Sequence, residues 1–485
     1  MARQNLRTEA PSSGKVEDSS HRPAGTIYDL VVLGAGPGGY SCALRAAQRG
    51  LRVAVVEKER VGGVCLNRGC IPTKVLLQAA SFLRSRSHAA KLGVELGQPQ
   101  LDWPRLMQRK AEVVKWLTSG VEALLYKRQV DVIYGTARLA ADGMVGIDSS
   151  DGHRVIRGAC RVIATGSSER ALPGIAIDGK IVISSTDALQ LPELPGSIAI
   201  IGAGAVGTEF ASMFADFGCE VTLIEALPRI LPLEDEESSQ IVAAALEQRG
   251  VHIHANTPVR GLSIANEGAN LTCEGEGHTF AVVADKVLIA IGRKPNTAEL
   301  GLEALGVKMT RGYVDVDSDL RSSVPDIFSI GDCIFTLALA HVATAEGKYV
   351  AELLSGGRPR RLLYDNMPRA TYCEPEVASV GLTEAQAREQ GLNITVSRFP
   401  MRNSGKAAVY GQMEGLVKII SERPSGLVLG VHIVGHSAPE LIAEAALAMQ
   451  LEATAAEIAE TVHAHPTISE AVMECAEGIL DTIRE

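Results

Sequence analysis

IYDLVVLGAGPGGYSCALRAAQRGLRVAVVE, residues 27–57, is the stretch from which the fold is read. Ile27 to Leu33 is a short apolar run and predicts a buried strand. Gly34-Ala-Gly36-Pro-Gly-Gly39 then opens a helix rich in Ala and Leu that ends at Gly50, and a second apolar run, Val53 to Val56, closes on Glu57. Each part has a physical task. The glycines let backbone approach a pyrophosphate, the helix N-terminus presents positive dipole, and the acid about 20 residues later receives a ribose hydroxyl. The glycine pattern alone is a weak signal. Between two strands, with a helix and a terminal acid, it predicts a dinucleotide site.

The same pattern recurs at residues 198–225, IAIIGAGAVGTEFASMFADFGCEVTLIE, where Gly202, Gly204, Gly207, Gly218 and Glu225 stand 168 positions after Gly34, Gly36, Gly39, Gly50 and Glu57. Self-similarity of this kind means two nucleotide domains. Two adjacent dinucleotide sites suggest electrons passing between two cofactors. A carboxylate at Glu225 accepts the hydroxyls of an adenosine ribose and repels a 2′-phosphate, so the second site should prefer NAD to NADP.

Later apolar strands return to each fold. Val162-Ile-Ala-Thr165-Gly166 serves the first, and Val287-Leu-Ile-Ala-Ile-Gly292-Arg293 the second. Asp326-Ile-Phe-Ser-Ile-Gly331-Asp332 follows, another strand ending in Gly-Asp, where an α/β sheet binds polar ligand groups. By itself Asp332 reads slightly better as a helix N-cap. From about Arg361 the texture changes to short strands (Val377 to Val380, Leu416 to Ile420, Val428 to Val434) and helices (Thr383 to Glu389, Pro439 to Met449, Ala455 to Ile458), the pattern of an α+β domain. Near its end lies Thr461-Val-His463-Ala-His465-Pro466-Thr-Ile-Ser-Glu470. Proline after His465 favours extended backbone or a cis bond, and Glu470 is close enough to bond back to the imidazole. A carboxylate-oriented histidine is the layout of a general base, although either histidine taken singly reads as an ordinary packed or surface residue.

Gly62-Gly-Val-Cys65-Leu-Asn-Arg-Gly69-Cys70-Ile-Pro72-Thr-Lys74 is the chemically distinctive stretch. A straight helix would hold the two Cα atoms at least ~7.5 Å apart, beyond the ~7 Å limit for an unstrained disulfide. A bond between Cys65 and Cys70 therefore needs bent backbone, which Gly69 permits and Pro72 encourages. A strained, partly exposed disulfide exchanges rather than staples a fold. The alternative is two unrelated thiols in a helix.

Composition sets the outer bounds. A chain of 485 residues is too long for one core, and 46% hydrophobic residues supply several. A net charge of −10 argues against nucleic acid and offers a membrane surface no attraction. Nine scattered cysteines do not make a secreted disulfide scaffold and fit a reducing compartment. No apolar run reaches the ~18 residues of a membrane span. Residues 1–25 are polar and are expected to be a flexible tail, not a secretory signal; Glu9, Glu17 and Asp18 disfavour a transit peptide.

Taken together, the turn at Gly34–Gly39, CLNRGCIPTK at Cys65–Lys74, the second turn ending in Glu225, SIGD to Asp332 and HAHPTISE at His463–Glu470 resemble the flavin-dependent disulfide oxidoreductases, over roughly residues 26–485. The nearest likeness is to members that act on a dihydrolipoyl group. The resemblance implies an α/β fold of two Rossmann-like domains, for FAD and NAD, plus a C-terminal α+β dimerisation domain. The expected boundaries are 26–167 (FAD), 168–294 (NAD), 295–360 (a central domain completing the FAD site) and 361–485 (interface). FAD would meet Gly34, Gly36, Gly39, Glu57, Thr165, Gly166, Asp332 and the backbone near Ala340 and His341; NAD would meet Gly202, Gly204, Gly207, Glu225 and Gly292. Cys65 would be the interchange thiol and Cys70 the flavin-side thiol of a redox disulfide. Lys74, paired with Glu209, would sit by the flavin, and His465 with Glu470 would come from the partner subunit of a homodimer. The implied activity is oxidation of a dihydrolipoyl group on a carrier protein of a 2-oxo acid dehydrogenase or glycine cleavage assembly, with NAD as acceptor, in the cytoplasm or, in a eukaryote, the mitochondrial matrix. No metal site is expected. The alternatives are another NAD(P)H-dependent disulfide or mercuric reductase, the latter disfavoured because Cys475 stands alone near the C-terminus, and a non-catalytic flavoprotein subunit.

Overall fold

The computed structural model describes residues 27–265, 268–275 and 277–484; the expected N-terminal tail lies outside them. β1 (Ile27–Leu33) pairs in parallel with β2 (Val53–Glu57) on one side and with Gly152–Ile163 on the other. Leu30 to Leu33 have no exposed surface. A parallel strand covered on both faces reads as continuous apolar sequence, which is why this run does not alternate. The crossover is α1 (Pro37–Gln48), with Pro37 at its first position, where a missing N–H costs nothing. Between β2 and the next parallel strand, Asp131–Tyr134, the chain makes a long excursion through α2 (Gly63–Arg68), α3 (Cys70–Lys91) and the helix Trp103–Lys127. Gly152–Ile163 serves two purposes. Its first half pairs antiparallel with Met144–Ser149, and its second half joins the parallel core.

The second fold has a parallel sheet in the order His252–His254, Glu220–Ile224, Ser197–Ile201, Lys286–Ile289, Val182–Ile183. The chain then returns: Ile327–Ser329 pairs with Arg161–Ile163 of the first sheet, which brings the Gly331-Asp332 turn to the edge of the first fold. Two strands too short for periodicity to register, Ser167–Glu169 and Arg293–Pro295, pair antiparallel and join the folds.

The C-terminal region is a five-stranded antiparallel sheet, with the three expected strands inside it and Arg369–Thr371 and Ile394–Pro400 at its edges. The helix Glu470–Arg484 packs Ala471, Val472, Cys475, Ala476 and Ile479 onto this sheet. A buried lysine fixes the sheet to the second fold. Lys418 Nζ reaches Asp235 (2.9 Å), Glu237 (2.7 Å) and Glu384 (2.8 Å), so that carboxylates from both regions satisfy an ammonium that water cannot reach. No helix among the described residues is long and apolar enough to cross a membrane.

Candidate active site

The two glycine turns are built alike at the level of single hydrogen bonds. Glu57 accepts the N–H groups of Ala35 (2.8 Å) and Glu59 (2.9 Å); Glu225 accepts those of Ala203 (2.7 Å) and Leu227 (2.9 Å). Gly34 N–H donates to Val56 O and Gly202 N–H to Ile224 O, each at 2.8 Å. A Cβ on Gly39 would overlap Gly34 O, and one on Gly207 would overlap Gly202 O. Gly36 and Gly204 are helix N-caps with extended backbone and no capping side chain, so the first N–H groups of both helices have no side-chain acceptor. Uncapped helix ends, glycine at the closest approach and an acid at the far edge suit a dinucleotide twice over.

The rear of the first site is a short polar network. Thr165 Oγ1 donates to Asn296 O (2.7 Å), and Asn296 N–H returns a bond to Gly166 O (2.9 Å). Ser167 Oγ donates to Asp332, Arg293 Nε donates to Ser167 Oγ (2.6 Å), and Gly292 O accepts from Arg170 N–H (3.1 Å). The N-cap reading of Asp332 is thereby corrected. The next helix, Ala340–Leu354, is capped by Leu339 without a side-chain bond, and Asp332 instead sits in a short 3₁₀ turn held by Ser167. Behind this turn Glu346, with no exposed surface, accepts from Gly331 N–H (2.6 Å), Tyr364 Oη (2.9 Å) and Thr336 Oγ1 (3.1 Å). Burial outweighs these donors and pushes its carboxyl up to about 7. Nothing in the sequence singled out Glu346, because in a helix an acid looks exposed until its tertiary neighbours are known.

The cysteines lie on this same fold. Gly62 (φ +101°) and Gly63 (φ +57°) form a left-handed turn, and Gly62 N–H donates to Ala35 O (2.8 Å), tying α2 to the first glycine turn. The predicted bend is at Gly69, where α2 stops and α3 starts, so Cys65 and Cys70 fall in different helices. Pro72 falls in the first turn of α3, where it is tolerated. Both cysteines are half-buried free thiols that share a hydrogen bond. The Cys65 thiol is pushed up by its bond to Cys70 and by burial; Cys70 is pulled down by the Cys65 donor and by the charge of Lys74. Tyr40, at the start of α1, faces the pair; burial, then the charge of the two cysteines, raises its phenol. Lys74 Nζ lies 2.9 Å from both carboxylate oxygens of Glu209 and 4.3 Å from the centre of the Tyr372 ring, and Tyr372 N–H donates to Glu209 (2.9 Å).

His465 and Glu470 are joined, Nδ1 to Oε1, at 2.8 Å, and Glu470 Oε2 accepts Thr467 N–H (2.7 Å). These bonds, Thr467 first, hold the Glu470 carboxyl below the usual range. The His465–Pro466 bond is cis. His463 pairs separately with Glu444 (2.8 Å). The His465 side chain is 80% exposed, and among the described residues no hydrogen bond or ion pair joins it to Cys65, Cys70 or Lys74. Within one chain, then, the structure brings together the cysteines, Lys74 and Glu209, and leaves His465 with Glu470 apart from them.

The family model described as pyridine nucleotide-disulphide oxidoreductase matches residues 28–347, and that family's dimerisation domain matches residues 367–476. A dihydrolipoyl dehydrogenase of Bacillus subtilis is 41% identical over 462 residues, which cover 93% of this chain and 98% of the relative. One from Geobacillus stearothermophilus is 39% identical, covering 94% and 96%. Among solved structures, LpdA from Mycobacterium tuberculosis superposes with a TM-score of 0.87 at 27% identity, and the HOCl-induced flavoprotein disulfide reductase RclA from Escherichia coli with 0.82 at 31%; each match covers 93% of this chain and 99% of the other.

Proposed function

Because the chain belongs to the pyridine nucleotide-disulphide oxidoreductase family, enzymes that use FAD and NAD, we propose that it oxidises a dihydrolipoyl group to the lipoyl disulfide and reduces NAD. The observation that supports this most directly is the hydrogen-bonded Cys65–Cys70 pair, fastened to the first glycine turn through Gly62 and set beside the Lys74–Glu209 ion pair.

In the oxidised enzyme the two sulfurs form a disulfide. His465, oriented by Glu470 and supplied by the second subunit of a homodimer, takes the proton from one dihydrolipoyl thiol. The resulting thiolate attacks Cys65, the Cys65–Cys70 bond breaks, and Cys70 leaves as a thiolate, the form that the neighbouring charge of Lys74 favours. The second substrate thiol then attacks the mixed disulfide, closing the lipoyl ring and releasing Cys65 as a thiol. FAD, when bound, supplies the two-electron step that takes reducing equivalents from this thiolate to nicotinamide. Gly34, Gly36, Gly39, Glu57, Thr165, Gly166, Asp332 and the backbone at Ala340 would hold it; Gly202, Gly204, Gly207, Glu225 and Gly292 would hold NAD. Lys74 lies beside the redox pair, half-buried, and the buried carboxylate of Glu209 pairs with it. The substrate arm would be borne by a lipoylated carrier protein, in the cytoplasm.

Steady-state kinetics with dihydrolipoamide and NAD, glutathione disulfide and NADPH, and mercuric ion, run side by side, test the reading. Dihydrolipoamide with NAD is expected to be the fastest by about a hundred-fold or more. Faster turnover of either alternative would overturn it. His465→Gln is expected to slow the thiol half-reaction far more than reduction of artificial acceptors by NADH; equal loss of both would mean that His465 only packs.

A further inference from the structure

On the outer flank of the first fold, α1 and the helix Ala340–Leu354 run side by side in the same direction, Pro37 beside Thr344 at one end and Arg45 beside Glu352 at the other. Close approach is possible because Gly38 and Gly347 meet where a Cβ on Gly347 would overlap Gly38 O. Along the groove between them lies a cavity of about 620 Å³, closed on its third side by the segment following the Gly356-Gly357 turn. This is the size of a small-molecule site.

Its electrostatics are unbalanced. Glu352 is the one acid in the lining and is already shared by Arg45 and Arg49. Lys348 and Arg360 have no ion-pair partner among the described residues, in a chain whose net charge is −10. The turn aims Arg360 by construction. Gly356 is left-handed (φ +80°), and Gly357 packs so tightly on Glu352 that a Cβ would come within 2.9 Å of its carbonyl oxygen. Pro359 then keeps Arg358 extended. A second feature points into the same space. Ser41 is only 7% exposed, yet its hydroxyl makes no hydrogen bond among the described residues, and its oxygen is not sealed off, so it faces the cavity. An open hydroxyl of this kind, not committed to a protein partner among the described residues, can bond a ligand that enters the groove.

We propose that this groove binds a small phosphorylated molecule. A carboxylate would be satisfied by one arginine, whereas two unpaired cations, the Gln48 amide and the Ser41 hydroxyl match the charge and three oxygens of a phosphate. Leu44, Leu362 and the Tyr349 ring give an apolar floor for the organic part. The site is separate from both glycine turns, and it does not depend on the proposed activity.

The test is calorimetric titration of the FAD-loaded dimer, kept saturated with NAD, with inorganic pyrophosphate as probe. Saturable binding is expected, falling on the order of ten-fold or more in Lys348→Gln and in Arg360→Ala, both at exposed positions, with dihydrolipoamide turnover unchanged. Absence of saturable heat at millimolar probe, or binding that survives both substitutions, would overturn the site. A nucleoside monophosphate and a sugar phosphate form the other arms. One of them should bind more tightly than pyrophosphate, and if both are weaker the apolar floor is wrongly assigned.

Discussion

The two nucleotide folds share their hydrogen bonds and differ in what lies over them. In the first, the mouth of the glycine turn is covered. Gly63 of α2 stands 3.8 Å from where a Gly36 Cβ would be, and a Cβ on Gly38 would come within 3.1 Å of Ala343 O in the helix Ala340–Leu354. In the second, nothing lies within 4 Å of the same point on Gly204, and the counterpart of Gly38 is Val206, 44% exposed. Local sequence repeats the turn, and later chain buries one copy only. A covered site suits a cofactor that stays, as FAD does in this family; an open one suits NAD, which must enter and leave at every turnover.

The largest expected effect separates chemistry from cofactor retention. The cysteines belong to the excursion that the first fold has and the second lacks. Cys70→Ser should lower NAD reduction by dihydrolipoamide by about a thousand-fold or more while the yellow absorbance of bound FAD is kept. Near-normal turnover would remove the thiol relay. Next comes the cover itself. Gly38→Val places two methyl groups against Ala343 and Ile330 and should cost about 3 kcal/mol and empty the protein of FAD, read from melting and from flavin content. The mirror change, Val206→Gly, at an exposed position, should cost no more than about 1 kcal/mol. Equal effects at the two positions would mean that the covered and open sites are not functionally distinct. Third, Glu225→Arg should move preference from NAD toward NADPH by roughly ten- to a hundred-fold. Unchanged selectivity would show that this acid holds only Ala203 and Leu227.

How much of this was legible depended on the range of the interaction. Gly34 to Glu57 and Gly202 to Glu225 could be read because strand, turn, helix and acid are local, and the repeat confirms itself within one chain. The bend at Gly69 was legible only as a condition: helix geometry required it if Cys65 and Cys70 were to bond, and two unrelated thiols in one helix stayed open. The Lys74–Glu209 pairing bridges 135 positions and came from family resemblance, not from any pattern in the residues. Asp332 was open to two readings because an acid after glycine begins many helices; only Ser167, 165 positions away, settles its direction. Tyr40, the short strand pair at Ser167 and Arg293, the Gly38–Gly347 approach and Ser41, whose hydroxyl has no partner among the described residues, left no periodicity to find. Each is made by packing between segments distant in sequence.

The smallest expected effect concerns how the cover is held. Glu346 ties the Asp332 turn to Thr336 and Tyr364 without any exposed surface, and nothing equivalent was found at the second site among the described residues. Burial sets its carboxyl at about 7, against 4.5 for an ordinary glutamate. The charge of Asp332 pushes the same way, while the three donors pull the other way. The folded protein therefore holds the proton more tightly than the unfolded chain does. The stability this provides is complete below about pH 4.5 and is lost as pH rises through about 7, because the folded state must then bury a carboxylate. Melting of the FAD-loaded protein followed from pH 5 to 8 should show a decline of order 1–3 kcal/mol that Glu346→Gln flattens, since the amide keeps an acceptor for Gly331 and has no proton to lose. An unchanged slope in that variant would assign the decline to another group and leave Glu346 as a hydrogen-bond hub alone.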